Sequence, residues 1–198
     1  MSSLSYYNPS PSPPSTPPPP PVPRTVVYDG TVTFEDDLSV VSFTVAEGVT
    51  EIKEKAFFGC KNLASLLPLK ESKVTILGPA AFEGCVLVTS LEGIPEGVTE
   101  FGSGLFRNCV GINNIRDMPT TLVTIGKACF QFCTAIRSLE GVPPTIKKIQ
   151  DFAFTCCYNL QNLNHWPANV PRISNCCFHI CTSRKWSGVV EWGSGVGP

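Results

Sequence analysis

The residue types able to do covalent or metal chemistry in this chain are ten cysteines and two histidines. Cys129/Cys133 and Cys177/Cys181 each enclose three residues, within the C-x(2–4)-C spacing of structural zinc sites. A nucleophilic thiol would instead need a base in reach and a third group to orient it, and only His165 and His179 could supply the base. His179 occupies a position filled in matching stretches of the chain by Glu83, Arg107, Gln131 and Thr155, so it reads as a surface residue. His165 follows Leu160 and Leu163 at a similarly variable position. The adjacent carboxylates Asp36 and Asp37 fall in a turn, and no G-x-S-x-G, P-loop, H-E-x-x-H or dinucleotide fingerprint stands in a usable context. These observations predict a protein with no catalytic residues, no cofactor and no metal.

The elements that carry the cysteines explain their number better than chemistry does. Cys60, Cys85, Cys109, Cys133, Cys157 and Cys181 are separated by 25, 24, 24, 24 and 24 residues, which is an internal repeat. Three residues before each stands Phe57, Phe82, Phe106, Phe130, Phe154 or Phe178. Further upstream, Ile52, Leu77, Phe101, Ile125, Ile149 and Ile173 form one apolar column, and Val49, Val74, Val98, Leu122, Ile146 and Val170 form another. After the cysteines come the pairs Leu63/Leu66, Val88/Leu91, Ile112/Ile115, Ile136/Leu139 and Leu160/Leu163. Free cysteine is a small, readily buried hydrophobe, so core filling accounts for both close cysteine pairs. Disulfides between neighbouring copies are geometrically conceivable. The start Met1-Ser-Ser-Leu-Ser-Tyr-Tyr-Asn has neither a basic segment nor an apolar one, so reduced thiols and a cytoplasmic location are expected, with the cell surface as the alternative.

A unit of 24 residues cannot bury its own apolar face, so the copies must stack on one another. Each unit reads as strand, turn, strand and short helical turn. In Val88 to Gly97 an apolar strand breaks at Gly93 and Pro95, Val98 to Phe101 is the second strand, and Ser103 to Cys109 can close one helical turn. The expected architecture is a mainly β repeat solenoid, right-handed and leucine-rich-repeat-like, with parallel sheets and six copies over residues 49–183. The segments Cys85-VLVTSLEGIPEGVTEFGSGLFRN-Cys109 and Cys109-VGINNIRDMPTTLVTIGKACFQF-Cys133 resemble the BspA-like class of leucine-rich repeats. That resemblance implies a curved or slightly twisted solenoid used for protein binding, found on microbial surfaces and in large protist families. The chain departs from the class pattern by one extra residue before the proline, in Leu91-Glu-Gly-Ile94-Pro95, which predicts a bulge at the end of the first strand.

The flanks differ in composition. Ten of the 19 prolines lie between Pro9 and Pro23, so residues 1–24 read as a disordered, partly polyproline-II lead. It serves as a spacer or, alternatively, as a ligand for an SH3-, WW- or profilin-like groove. Residues 25–48 are rich in Val, Thr and Phe and read as two or three strands forming a degenerate first turn that caps the solenoid. Residues 184–198 form a tail with no further copy, beginning at Arg184 where other copies are apolar. With 16% charged residues and a net charge of −1, duplex nucleic acid is a poor partner, and no apolar run is long enough to insert in a membrane.

The apolar columns are committed to the core, so binding is expected where residue choice is free. On the first strand those positions are Thr89, Asn113, Arg137 and Gln161, with Glu92, Arg116 and Glu140 beside them as lateral neighbours of alternating sign. The second-strand face, with Thr99, Glu100, Thr124, Lys147 and Lys148, has the same geometry. The expected function is therefore a non-catalytic protein–protein interaction module. The alternatives are an adhesion protein of the same fold and a thiol- or zinc-dependent protein.

Overall fold

The computed structural model describes residues 19–161 and 176–181, and the calls made above on Leu163, His165, Val170, Ile173 and the tail from Arg184 fall outside them. The apolar column from Ile52 to Ile149 becomes the inner row of a parallel sheet. Its strands are β3 (Glu51–Ile52), β4 (Ile76–Leu77), β5 (Glu100–Phe101), β6 (Thr124–Ile125) and β7 (Lys148–Ile149), hydrogen-bonded in chain order. The register pairs like with like: Ile52 with Leu77, Leu77 with Phe101, Phe101 with Ile125, and Ile125 with Ile149. Side chains alternate across a strand, so these residues are buried while Ile76, Glu100 and Lys148 face outward. The rest of each copy is the crossover that any parallel pair requires.

The segment expected as the first strand is extended chain without a ladder. Turns closed by Val88 N–H to Cys85 O and by Ile94 N–H to Leu91 O leave few residues between them. Bonds between copies there include Asn113 N–H to Thr89 O and Gln161 N–H to Arg137 O, both at 3.1 Å. The predicted bulge is a β-turn instead. Gly93 and Gly141, with φ of 107° and 100°, sit third in Leu91–Ile94 and Leu139–Val142, the position where a type II turn requires glycine.

The expected helical turns are also something else. No α-helix occurs among the described residues; the single helical element is a 3-10 turn at Leu67–Leu69. Between strand and cysteine each copy instead makes overlapping β-turns. Alternate residues bond locally (Glu83 N–H to Ala80 O, Cys85 N–H to Phe82 O) and to the next copy (Phe82 N–H to Leu105 O, Gly84 N–H to Arg107 O). Alternation of this kind needs left-handed backbone at two places per copy. One is Lys55, Ala80, Gly104, Ala128, Phe152 and Cys176, and the other is Gly59, Gly84, Asn108, Phe132, Cys156 and Ile180. A helix would aim its N–H groups along its own axis, whereas these turns aim alternate N–H groups sideways at the next copy.

Inside the coils the phenylalanines stack in one continuous row. It runs Phe34, Phe57, Phe82, Phe106, Phe130, Phe154, Phe178, with consecutive ring centroids 5.2–6.0 Å apart and planes within 22°. Beside it each repeat cysteine donates its thiol to the phenylalanine carbonyl of the preceding coil, at 3.0–3.2 Å from Cys60 through Cys181. The cysteine column is thus a row of small apolar fillers that also use a carbonyl the turn leaves half-satisfied.

The cap is a true, if degenerate, coil. β1 (Arg24–Tyr28) pairs in parallel with β2 (Val40–Val45), burying Val26, Tyr28, Val40 and Phe43. The strand starts inside the Pro-rich lead as bounded above, because Arg24 is held by Ser39 and ion-paired to Asp37 at 2.6 Å. Between β1 and β2, Phe34 and Asp36 donate to Ala56 O and Phe58 O just as Phe57 and Gly59 donate to the following copy. Phe34-x-x-Asp37 is therefore the cap's version of Phe-x-x-Cys, a match that the spacing alone could have revealed.

Candidate functional site

The exposed residues of the first extended segment line up because the segments stack. Thr89, Asn113, Arg137 and Gln161 are all exposed and lie on successive coils, tied directly by the Asn113–Thr89 and Gln161–Arg137 backbone bonds. Glu92, Arg116 and Glu140 occupy the second position of the β-turns that follow, which points them out of the core. Arg116 forms an ion pair with Glu140, while Glu92 lies outside the ion pairs seen among the described residues. The Arg116 backbone N–H is held by Asn114 Oδ1 at 2.8 Å, which fixes the turn that carries the guanidinium.

Two of these coils enclose an open cleft of about 260 Å³ lined by Asn113, Asn114, Arg116, Arg137, Ser138 and Glu140, with Ile115 at its base. It brings together Asn113, Arg116, Arg137 and Glu140 and leaves Thr89, Glu92 and Gln161 on the flanking coils. Asn114 and Ser138 were not among the expected site residues. Their signal was present in the pairs Asn113-Asn114 and Arg137-Ser138, the second members of which are half-buried and line the cleft wall. Such a lining is rich in hydrogen-bond donors and carries a cation, Arg137, that makes no ion pair among the described residues.

A charged pair in the turns before the cysteines has a structural role. Glu83 is buried, and Arg107 of the next coil meets it at 2.6 Å. A buried carboxylate without that partner would carry a large desolvation penalty.

The thiols are arranged for packing. Burial pushes Cys60, Cys109 and Cys177 up to about 12, Cys181 up to about 11, and Cys85, Cys129, Cys133 and Cys157 well above the ordinary thiol range. Thiolate is the reactive and metal-binding form, so these groups are held in the inert state. All ten cysteines are free thiols, and Cys176 is the exposed one. Among the described residues no group of three or more His, Cys, Asp or Glu is gathered to hold a metal.

Parallel two-residue strands, repeated turns and a stacked aromatic core define a leucine-rich-repeat solenoid. The chain belongs to the BspA type leucine rich repeat family, whose model matches in 6 copies over residues 29–116 and 67–185. Similar solved structures are a leucine-rich repeat protein from Bacteroides ovatus (28% identity, TM-score 0.60, 71% of this chain and 37% of that one) and the leucine-rich repeat protein of T. pallidum (30% identity, TM-score 0.50, 62% of this chain and 56% of that one). The chain thus spans 37% and 56% of the lengths of these two proteins. No curated protein sequence matches it.

Proposed function

We propose that the protein is a non-catalytic interaction module whose partner protein docks on the face formed by Thr89, Glu92, Asn113, Arg116, Arg137, Glu140 and Gln161. The observation that carries this reading is the cleft around Arg116 and Arg137. It is the place where exposed polar side chains from adjacent coils converge over a core that needs no reordering on binding. A rigid surface loses little conformational entropy when it binds, so many shallow polar contacts can yield useful affinity. Membership of a repeat family that generally mediates protein–protein contacts supports the same reading.

The free, buried thiols fit a reducing compartment, and on that ground we place the protein in the cytoplasm; fractionation of a tagged chain tests this against a cell-surface position. No helix among the described residues is long and apolar enough to cross a membrane.

Photo-crosslinking tests the docking face. A benzoylphenylalanine at position 113 should trap a discrete protein in native lysate, and the same group at position 99 on the second-strand face should not. Trapping from position 99 alone would move the site to that face. Turnover of any substrate by the purified chain would overturn the non-catalytic reading.

A further inference from the structure

The solenoid begins with an open sheet edge. Among the described residues β1 has one neighbouring strand, β2. Arg24 N–H donates to Ser39 O, and Tyr28 O accepts from Ala46 N–H. Alternate residues of a strand turn their backbone groups the same way, so Arg24, Val26 and Tyr28 direct theirs at β2. Thr25 and Val27 therefore hold their N–H and C=O groups out on the opposite side, as two donors and two acceptors. Their side chains lie on the outer face, Thr25 exposed and Val27 63% exposed. An edge of this kind is a template for another strand. Pro23 limits its length. It falls in phase with Thr25 and Val27 but has no N–H, so a full ladder cannot run on into the Pro-rich lead.

We propose that this edge binds the same edge of a second copy of the chain, β1 pairing antiparallel with β1 about a two-fold axis at Val26. The edge is self-complementary in one register. With Val26 opposite its twin, Thr25 faces Val27 of the other copy, and each such pair exchanges two N–H···O=C bonds. The two pairs together use every edge group of both copies. The neighbouring registers do not. Thr25 opposite Thr25 sets Val27 against Pro23, which has no hydrogen to return. Val27 opposite Val27 sets Thr25 against Asp29, where the chain has already turned, with Asp29 Oδ1 accepting from Thr31 N–H at 2.8 Å. A surface that meets itself across a two-fold axis closes on a dimer and leaves no edge for further chains. β1 and β2 also continue the stack of first segments, since Val40 and Phe43 precede Leu63 and Leu66 by the same 23 residues that separate Phe34 from Phe57. The two-fold axis turns both first-segment faces to one side, with the two Arg116 clefts about ten coil steps, or roughly 48 Å, apart. The pairing does not depend on what the cleft binds and is tested apart from it.

The test is sedimentation equilibrium of the full chain together with amide hydrogen exchange read by NMR. The mass of the parent should rise with concentration toward twice that of one chain, and the Thr25 and Val27 amides should gain protection in step with it. Val27→Pro removes an edge donor without touching a bond to β2, a position where an edge strand tolerates proline. Val27→Lys keeps the donor and sets two like charges diagonally across the seam. Each variant should raise the dimer dissociation constant at least tenfold and return the Thr25 amide to free exchange, while melting as the monomeric parent does. A parent that stays monomeric at NMR concentrations would overturn the proposal. So would Thr25 and Val27 amides protected in a monomer, which would mean that the chain's own lead covers the edge, or a dimer indifferent to both substitutions.

Discussion

Phe130 lies fully buried between Phe106 and Phe154, whereas Phe132, two residues on, is exposed in left-handed backbone. Phe130→Ala empties a position packed on both sides and should cost about 3–5 kcal/mol. Phe132→Gly trades partial contact for relief of about 1–2 kcal/mol of backbone strain, so it should leave stability within about 1 kcal/mol of the parent or raise it. Urea midpoints of the two variants check this, and equal losses would contradict it. The thiols make a pH prediction. Their folded-state values are raised above that of a free thiol, so the stability they contribute is complete below about pH 8.5 and is lost as pH rises toward about 12. Each fully buried thiol should steepen the loss by about 1.4 kcal/mol per pH unit, measurable as a falling urea midpoint between pH 8.5 and 10.5. A flat profile there would mean that the ladder is not sequestered. The buried Phe and Cys columns were legible from spacing alone, because core positions repeat by residue type. The left-handed positions were not, because Phe132 and Ile180 conceal a conformation that Gly59, Gly84 and Asn108 would have advertised.

At the level of elements, legibility depended on which groups each segment uses for bonding. The second strand was readable because a β-branched or aromatic residue recurs between polar ones, and its outward and inward residues fall where alternation puts them. The first strand and the helical turn were misread for one reason: close turns can present the same apolar spacing as a strand or a helical turn while directing their N–H groups to a neighbouring coil. The turn at Leu139–Val142 gives the sharpest test of this description. A Cβ on Gly141 would lie 2.2 Å from Arg116 Cα, and its φ of 100° disfavours any side chain. Gly141→Ala should therefore cost about 1–3 kcal/mol and push Arg116 out of place. Loss of the Arg116–Glu140 contact would appear as a changed Arg116 Nε resonance. An unaltered resonance and melting temperature would show that the turn is looser than described.

For the whole molecule, the same contacts that stack the coils also decide what the surface can offer. Each coil packs on its neighbours through the phenylalanine row, the thiol bond, the buried aliphatic columns and several backbone bonds, so energy is distributed along the axis and adjacent defects should couple. Phe106 and Phe130, 5.6 Å apart, should show a coupling of about 0.5–1.5 kcal/mol in a double-mutant cycle with alanine, and strict additivity would argue against direct stacking. The solenoid itself was visible from six cysteines at regular spacing, and so was the set of positions left free by the core. The convergence of Asn113, Arg116, Arg137 and Glu140 into one cleft was not, since it depends on turn geometry. That cleft is the centre of the functional account, and charge reversal tests it most directly. Quantitative affinity capture from native lysate would compare the parent chain, the variant Arg116→Glu/Arg137→Glu and the control Lys147→Glu/Lys148→Glu on the other face, all verified as folded. The account predicts that the partner captured by the parent and the control drops at least tenfold with the cleft variant. An undiminished partner in the cleft variant, with loss in the control, would contradict it.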